Sequence, residues 1–323
     1  MVLYMTNWFD ERLGEIKDIE ALLTRAAKYF GIGNLQNHEI IALGFEDYNV
    51  KLETDSGNYV VKIFAVENSE LRAGRSEKVL SAVMQAKISH PHVYSGEKGM
   101  IYLDQETGLR AVCMDFVLGS TFYKTDPPSD DQLKKIIEQA VKINQLEMSL
   151  EHYADEWSVT NIGSMYEKTR DVMPPENKKL VEDAIDLYDQ ISVEQLPVRI
   201  VHGDIIKSNV IVGESGDPFI VDFSCTNTYP RIQELAVVCA NLLNGDGLSV
   251  RERNEKVVAI YRECGGELDE VEVKWLYNYT AGAIAMEYLG CIAEVIESGE
   301  DNEEISYWRE LGLAGLRELS VLS

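Results

Sequence analysis

Three side chains near the middle of the sequence have the types and spacing of a site that handles phosphate. They lie in Val201-His202-Gly203-Asp204-Ile205-Ile206-Lys207-Ser208-Asn209-Val210-Ile211-Val212 and, after a turn at Glu214-Ser215-Gly216-Asp217, in Ile220-Val221-Asp222-Phe223-Ser224. A carboxylate ends one apolar run, an amide stands five positions later just before the next, and a second carboxylate ends the third. A loop followed by a hairpin brings all three to one strand end. A carboxylate and an amide oxygen form a hard-oxygen set suited to Mg²⁺. The remaining carboxylate is placed to orient a hydroxyl and accept its proton.

The elements that must position them can be read from periodicity. The 323 residues are 45% hydrophobic and 26% charged, an ordinary globular balance, and their length suits two domains or one two-lobed one. Residues 10–30 have the apolar spacing of a helix that stops at Gly31. From Ile40 the pattern turns to a β-hairpin with its turn at Asp55-Ser56-Gly57-Asn58, then a helix over 67–87, then two strands in MIYLD and LRAVCMDFV. After Gly119 helices dominate. Ser129 and Gln132 form a capping box before one of them, and Pro174-Pro175 precedes another. The remaining helices are expected at 232–244, 250–264, 269–298 and 303–320. The reading is α+β: a sheet-rich N-terminal lobe (1–114), a hinge (115–119) and a larger helical lobe carrying the strand island (120–323).

Composition narrows the partners. Lys and Arg number 30 against 55 Asp and Glu, a net charge of −25. Nucleic acid and anionic membrane both need cations that replace counterions, so neither is expected as a partner. Five widely spaced cysteines include no CxxC, so neither a zinc site nor a disulfide framework is expected. No wholly apolar stretch approaches the ~18 residues of a membrane span. Acidic residues crowd the first twenty positions, unlike a secretory leader, and the expected compartment is the cytoplasm.

The segment His202-Gly203-Asp204, Asn209, Asp222-Phe223-Ser224 resembles the catalytic and metal-binding segments of the aminoglycoside phosphotransferase and choline kinase group. That group lies within the eukaryotic-like kinase fold, with seven positions here at matching spacing. The resemblance implies ATP and Mg²⁺ as cofactors, Asp204 as catalytic base, and Asn209 and Asp222 as metal ligands, with His202 structural. Ser224 stands where protein kinases have glycine. Lys207 lies three residues after Asp204, not two, and reads as a solvated lysine.

A kinase-like fold makes demands upstream. Lys62, in Tyr59-Val60-Val61-Lys62-Ile63-Phe64, supplies a strand lysine, and Glu77 is the one charge on the Ala73, Glu77, Leu80, Met84 helical face. Singly they read as a surface lysine and a part-exposed helix residue. In this order before HGD they are expected to form an interior ion pair that holds the lysine against the nucleotide phosphates. Gly44 and Asn49 bracket the first hairpin turn, loosely resembling the family's phosphate-covering turn. Val112 to Gly119 resembles the family's hinge, which implies adenine contacts from the Asp115 carbonyl and the Val117 amide.

Protein kinases usually carry HRD, whereas Gly203 stands here in place of the arginine. Only eleven residues separate Asp222 from Glu234, too few for a peptide-docking segment. A small-molecule acceptor is therefore expected, ahead of an atypical protein kinase or a kinase-like nucleotide binder without turnover. The stretch 265–323 holds 13 acidic and 3 basic residues. Glu287, Glu294, Glu297, Asp301, Glu303 and Glu304, with Trp275, Tyr279, Tyr288, Tyr307 and Trp308, suit a cationic acceptor.

Overall fold

The structure, a computed structural model, describes residue 13 and residues 18–41, 47–66, 69–151 and 155–321. The chain divides into two units, Met1–Leu118 and Gly119–Ser323.

In the first unit, helix α1 (Ile19–Phe30) starts where the Asp18 side chain accepts from the Ala21 amide, and ends at Gly31 with φ +66°. Its inward face, Leu22, Leu23, Ala26, Ala27 and Phe30, covers one side of an antiparallel sheet. The strands are β1 (Leu35–Ile41), β2 (Tyr48–Thr54), β3 (Gly57–Ile63), β4 (Tyr102–Leu103) and β5 (Arg110–Asp115), in the order β1-β2-β3-β5-β4. Strand residues alternate between faces. Val50, Leu52, Val61, Ile63, Ala111 and Cys113 meet α1, whereas Phe64 and Val112 pack with Ala73 and Leu80 of α2 (Ser69–Gln85). Lys62, between Val61 and Ile63 and opposite Val112, thus points to the α2 side. Arg25 grips the buried Asp104 with two bonds, Nε–Oδ1 at 2.7 Å and Nη2–Oδ2 at 2.8 Å, tying α1 to the β4–β5 turn.

The second unit begins with β6 (Gly119–Thr121). The sequence placed this segment at the end of a hinge; it pairs with β8 (Val210–Gly213), which pairs in turn with β9 (Pro218–Ile220). Glycine is required at 119, because a Cβ there would lie 2.2 Å from the Val212 carbonyl oxygen. A separate ladder joins β7 (Val198–Val201) to β10 (Asn227–Pro230). The strand expected to end at Asp222 stops at Ile220, and Phe223–Cys225 form one 3₁₀ turn.

The helices are α3 (Asp130–Asn144), α4 (Ile162–Thr169), α5 (Pro175–Tyr188), α6 (Ile232–Val237), α7 (Val250–Glu263), α8 (Glu270–Ser298) and α9 (Glu303–Val321). The π turn Val238–Leu242 extends α6. Helix α8 is buried nearly all round from Asn278 to Met286 and packs against α9, α5, α6 and α4. It is long and apolar enough to cross a membrane, yet 72% of its most apolar window is buried within the fold, as suits a core helix.

The N-terminus of α8 is fixed by a buried ion pair. Arg231 meets Glu272 in a bidentate contact, with Nε–Oε1 at 2.9 Å, and Glu272 is fully buried. Replacing Glu272 with Ala leaves a buried guanidinium unpaired. It should cost about 3–5 kcal/mol in chemical denaturation. A cost under about 1 kcal/mol would mean the pair behaves like an exposed one.

Candidate active site

The HGD loop leaves β7 under tight control. Glu234 on α6 is fully buried, and its carboxylate accepts from the backbone N–H of His202 at 2.6 Å and from that of Gly203. The sequence alone did not single out Glu234; its signal was a lone acid in the apolar run Ile232 to Leu243. Burial pushes its pKa up to about 7, against the pull of the two backbone donors.

His202 is fully buried and both ring nitrogens are engaged. Nδ1 accepts from the Asp204 amide at 3.2 Å and Nε2–H donates to the Val221 carbonyl at 3.1 Å, which defines a neutral tautomer. The ring stands edge-on to Phe223, centroids 4.4 Å apart. It ties the Asp204 turn to the Asp222 turn. Gly203 has φ +82°, a conformation in which an arginine would be strained.

Asp204, Asn209 and Asp222 are each partly exposed. The Asn209 side-chain N–H₂ donates to the Asp204 carboxylate at 2.6 Å and to its backbone carbonyl at 3.1 Å. Val221 donates its N–H to the Asn209 carbonyl at 3.0 Å, so Asn209 stands across from the residue preceding Asp222. Asp222 itself has φ +63° and takes the Ser224 hydroxyl on Oδ1 at 2.7 Å. The structure thus brings Asp204 and Asn209 into contact and sets Asp222 beside them.

This donor set fits a divalent cation. Asn209 spends its N–H₂ on Asp204, which turns its amide oxygen away from that carboxylate. Among the described residues no group of three or more His, Cys, Asp or Glu forms a metal cage. A cation here would take Asn209 and Asp222 plus oxygens from outside the chain, as Mg²⁺ does with nucleotide phosphates. Bound there, it would neutralise phosphate charge, while the chain holds Asp204 and Asn209 in register.

Lys207 differs from its expected solvated state. Only 2% of it is exposed, and burial, aided by nearby Arg253, lowers its pKa. Its backbone N–H donates to Asn241 Oδ1 at 3.0 Å and its carbonyl accepts from Phe122 at 2.9 Å. It anchors the loop from below.

In the first unit, Lys62 is buried and pairs with Asp47, Nζ–Oδ2 at 3.1 Å, not with Glu77. Asp47 also receives Arg72 of α2 at 3.4 Å and the Ala65 amide at 3.2 Å. Glu77 is exposed and makes no ion pair among the described residues. The α2 face that packs inward is Ala73, Val79, Leu80 and Val83, which rotates Glu77 out. Asn49 lies within β2, not in a turn, opposite Ile41 and Lys62. Gly44 falls outside the described residues. Asp115 ends β5, with its amide on the His92 carbonyl and its carboxylate taking the Tyr94 hydroxyl at 2.8 Å; Val117 follows in irregular chain.

The acidic C-terminal stretch is largely spoken for. Glu297 pairs with Lys168, Asp301 with Arg309 at 3.0 Å, and Glu303 with Lys124 at 2.5 Å. Trp308 donates to Glu304 at 3.4 Å. Glu287 on α8 stands apart: it is partly exposed, has no cationic partner among the described residues, and burial pushes its pKa up to about 7. It neighbours Asn241, the residue that holds the Lys207 amide, and Tyr307, whose ring packs edge-on against Tyr123 at 4.7 Å.

Glu234 yields a sign-definite expectation. Its pKa rises from an unfolded 4.5 to about 7, so its stabilising contribution is full below about pH 4.5 and is lost as pH rises through about 7. Urea titrations should show wild type losing up to about 3 kcal/mol more than Glu234→Gln between pH 5 and 8. Equal losses would show that Glu234 does not titrate there. Glu234→Ala should lower turnover while the far-ultraviolet spectrum is kept, because the loop loses its anchor.

Comparisons with known proteins bear on the fold and the family. No curated protein matches the sequence. Among solved structures, a spectinomycin phosphotransferase in complex with ADP and spectinomycin is 14% identical, with TM-score 0.65 over 92% of this chain and 98% of its own. A choline kinase from Streptococcus pneumoniae is 16% identical, with TM-score 0.61 over 93% and 99%. A microcompartment-associated aminopropanol kinase is 13% identical, with TM-score 0.66 over 94% and 98%. At these identities the likeness shows the fold. The profile of the phosphotransferase enzyme family matches residues 38–264, a span that contains Lys62 and the whole Asp204, Asn209 and Asp222 loop system, and the chain belongs to that family.

Proposed function

We propose that this protein transfers the γ-phosphate of Mg·ATP to a hydroxyl group of a small amine-bearing molecule. The observation that carries the reading is the contact of Asp204 with Asn209, with Asp222 held beside them on a loop that Glu234 and His202 fix. Phosphoryl transfer proceeds through a loose transition state, so alignment and charge stabilisation supply most of the acceleration. In this reading Asp204 orients the acceptor hydroxyl and takes its proton. Asn209 holds Asp204 by its N–H₂ and offers its oxygen, with Asp222, to Mg²⁺. Lys62, fixed by Asp47, is assigned to the nucleotide phosphates, and the Asp115–Val117 backbone to adenine. Glu77, Gly44 and Asn49 keep only the family resemblance as support.

The amine-bearing acceptor rests on Glu287. A part-open carboxylate with no cation of its own, beside the residue that holds the catalytic loop and near the Tyr307 ring, suits an ammonium group. The three related structures are named for spectinomycin, choline and aminopropanol, all of which carry both an amine or ammonium and a hydroxyl.

The test is a screen of amino alcohols, amino sugars and aminoglycosides for ATP-dependent ADP release, followed by variants. Asp204→Ala should lower kcat by roughly 10²–10⁴-fold with nucleotide affinity little changed. Asp222→Asn should weaken Mg·ATP binding and abolish turnover. Near-normal turnover by Asp204→Ala would refute the mechanism. KM for a cationic acceptor should rise as pH falls below about 7, where Glu287 takes up its proton, and Glu287→Gln should flatten that dependence. An unchanged pH profile in that variant would move the amine site elsewhere.

A further inference from the structure

Helices α7 and α8 form a groove of about 340 Å³ whose charge opposes that of the chain. Arg251 and Arg262 line it from α7 and Lys274 lines it from α8, with Glu255 the one acid among the lining residues. The other two basic residues of α7 are paired: Arg253 with Asp246 and Glu318, and Lys256 with Asp130. Among the described residues, Arg251, Arg262 and Lys274 have no carboxylate within ion-pair distance. Arg251 rests over the Tyr277 ring at 4.6 Å and Lys274 over the Trp275 ring at 4.2 Å. In a chain of net charge −25, three cations therefore stand around one cavity with no carboxylate partner among the described residues.

The spacing adds shape to the charge. Arg251 and Arg262 have ten residues of helix between them, a rise of about 16 Å along the axis. The groove thus carries a guanidinium toward each end of its α7 wall. Between them Val258 is buried and gives an apolar floor, with the half-buried Tyr277 ring alongside. The volume lies at the small end of ligand sites, about 300–1,000 Å³. A guanidinium already laid on an aromatic face presents its planar fork to a carboxylate or phosphate with little further ordering. None of Asp204, Asn209, Asp222 and Glu287 lines this groove.

We propose that the α7–α8 groove binds a small organic anion, a phosphate or carboxylate head group on an apolar or aromatic body, at a site separate from the phosphoryl-transfer residues. Arg251, already laid on the Tyr277 ring, holds the head group, Val258 and Tyr277 cover the body, and Arg262 at the far end of the wall adds to the attraction for the anion. The proposal stands independently of the assigned reaction, because its readout is binding alone.

The experiment is calorimetric titration of the full chain at low ionic strength with phenyl phosphate, benzoate and inorganic phosphate. Phenyl phosphate should bind saturably and more tightly than inorganic phosphate, since only it reaches the apolar floor. Arg251→Gln together with Arg262→Gln should weaken it by at least about tenfold, the effect of one charge-assisted contact or more. Both side chains are exposed, so the melting temperature should hold. In the unaltered protein, phenyl phosphate should also shift the Tyr277 ring resonances. Absence of saturable binding, an affinity unchanged in the double variant, or unmoved Tyr277 resonances would each overturn the proposal. Inorganic phosphate binding as tightly as phenyl phosphate would overturn the organic-anion assignment.

Discussion

A carboxylate with no access to water, Glu234, receives the backbone N–H groups of His202 and Gly203, and the positions of Asp204 and Asn209 follow from that contact. Two buried backbone donors at a sharp turn must find an acceptor. Supplying it from α6 welds the turn to the core of the helical unit. From there His202 reaches Val221, Asn209 reaches Asp204, and Asn241 takes the Lys207 amide. Within this frame Gly203 at φ +82° takes a conformation open to glycine, and Asp222 at φ +63° is the residue held against its usual preference. The surrounding bonds hold Asp222 in that conformation, as a strained residue requires.

The parts that were legible in the sequence are those set by local chain geometry. Asp204, Asn209 and Asp222 could be read because a loop and a hairpin of fixed length bring them together. The capping box at Ser129 and the stop at Gly31 were legible for the same reason. What needed the structure were partners chosen by packing. Lys62 was expected to meet Glu77, but burial of Val79, Leu80 and Val83 turns Glu77 outward, and Asp47, close in space through the β2–β3 pairing, takes the lysine. Lys207 was read as solvated because a lone lysine carries no signal of being buried. Glu234 was missed because its role lies in a backbone donor 32 residues away, and in the next one along. Strands β6 and β10 were too short to show a period.

The charge of the chain also separates into distinct uses. Much of the acidic C-terminal stretch is consumed by Lys168, Arg309 and Lys124, a surface network worth little individually. Glu287 is different because no described cation meets it and burial already disfavours its charge. An arriving ammonium would reverse that balance. The cations around the α7–α8 groove are the opposite case, leaving a positive site on an acidic protein.

The central claim is that the Glu234-anchored loop carries out phosphoryl transfer to an alcohol. The most direct measurement is ³¹P NMR of the protein with ATP, Mg²⁺ and a hydroxylated amine acceptor. The account predicts a phosphomonoester signal that grows in step with ADP, one for one, and no build-up of inorganic phosphate. ADP accompanied only by inorganic phosphate, across amino alcohols, amino sugars and aminoglycosides alike, would contradict it.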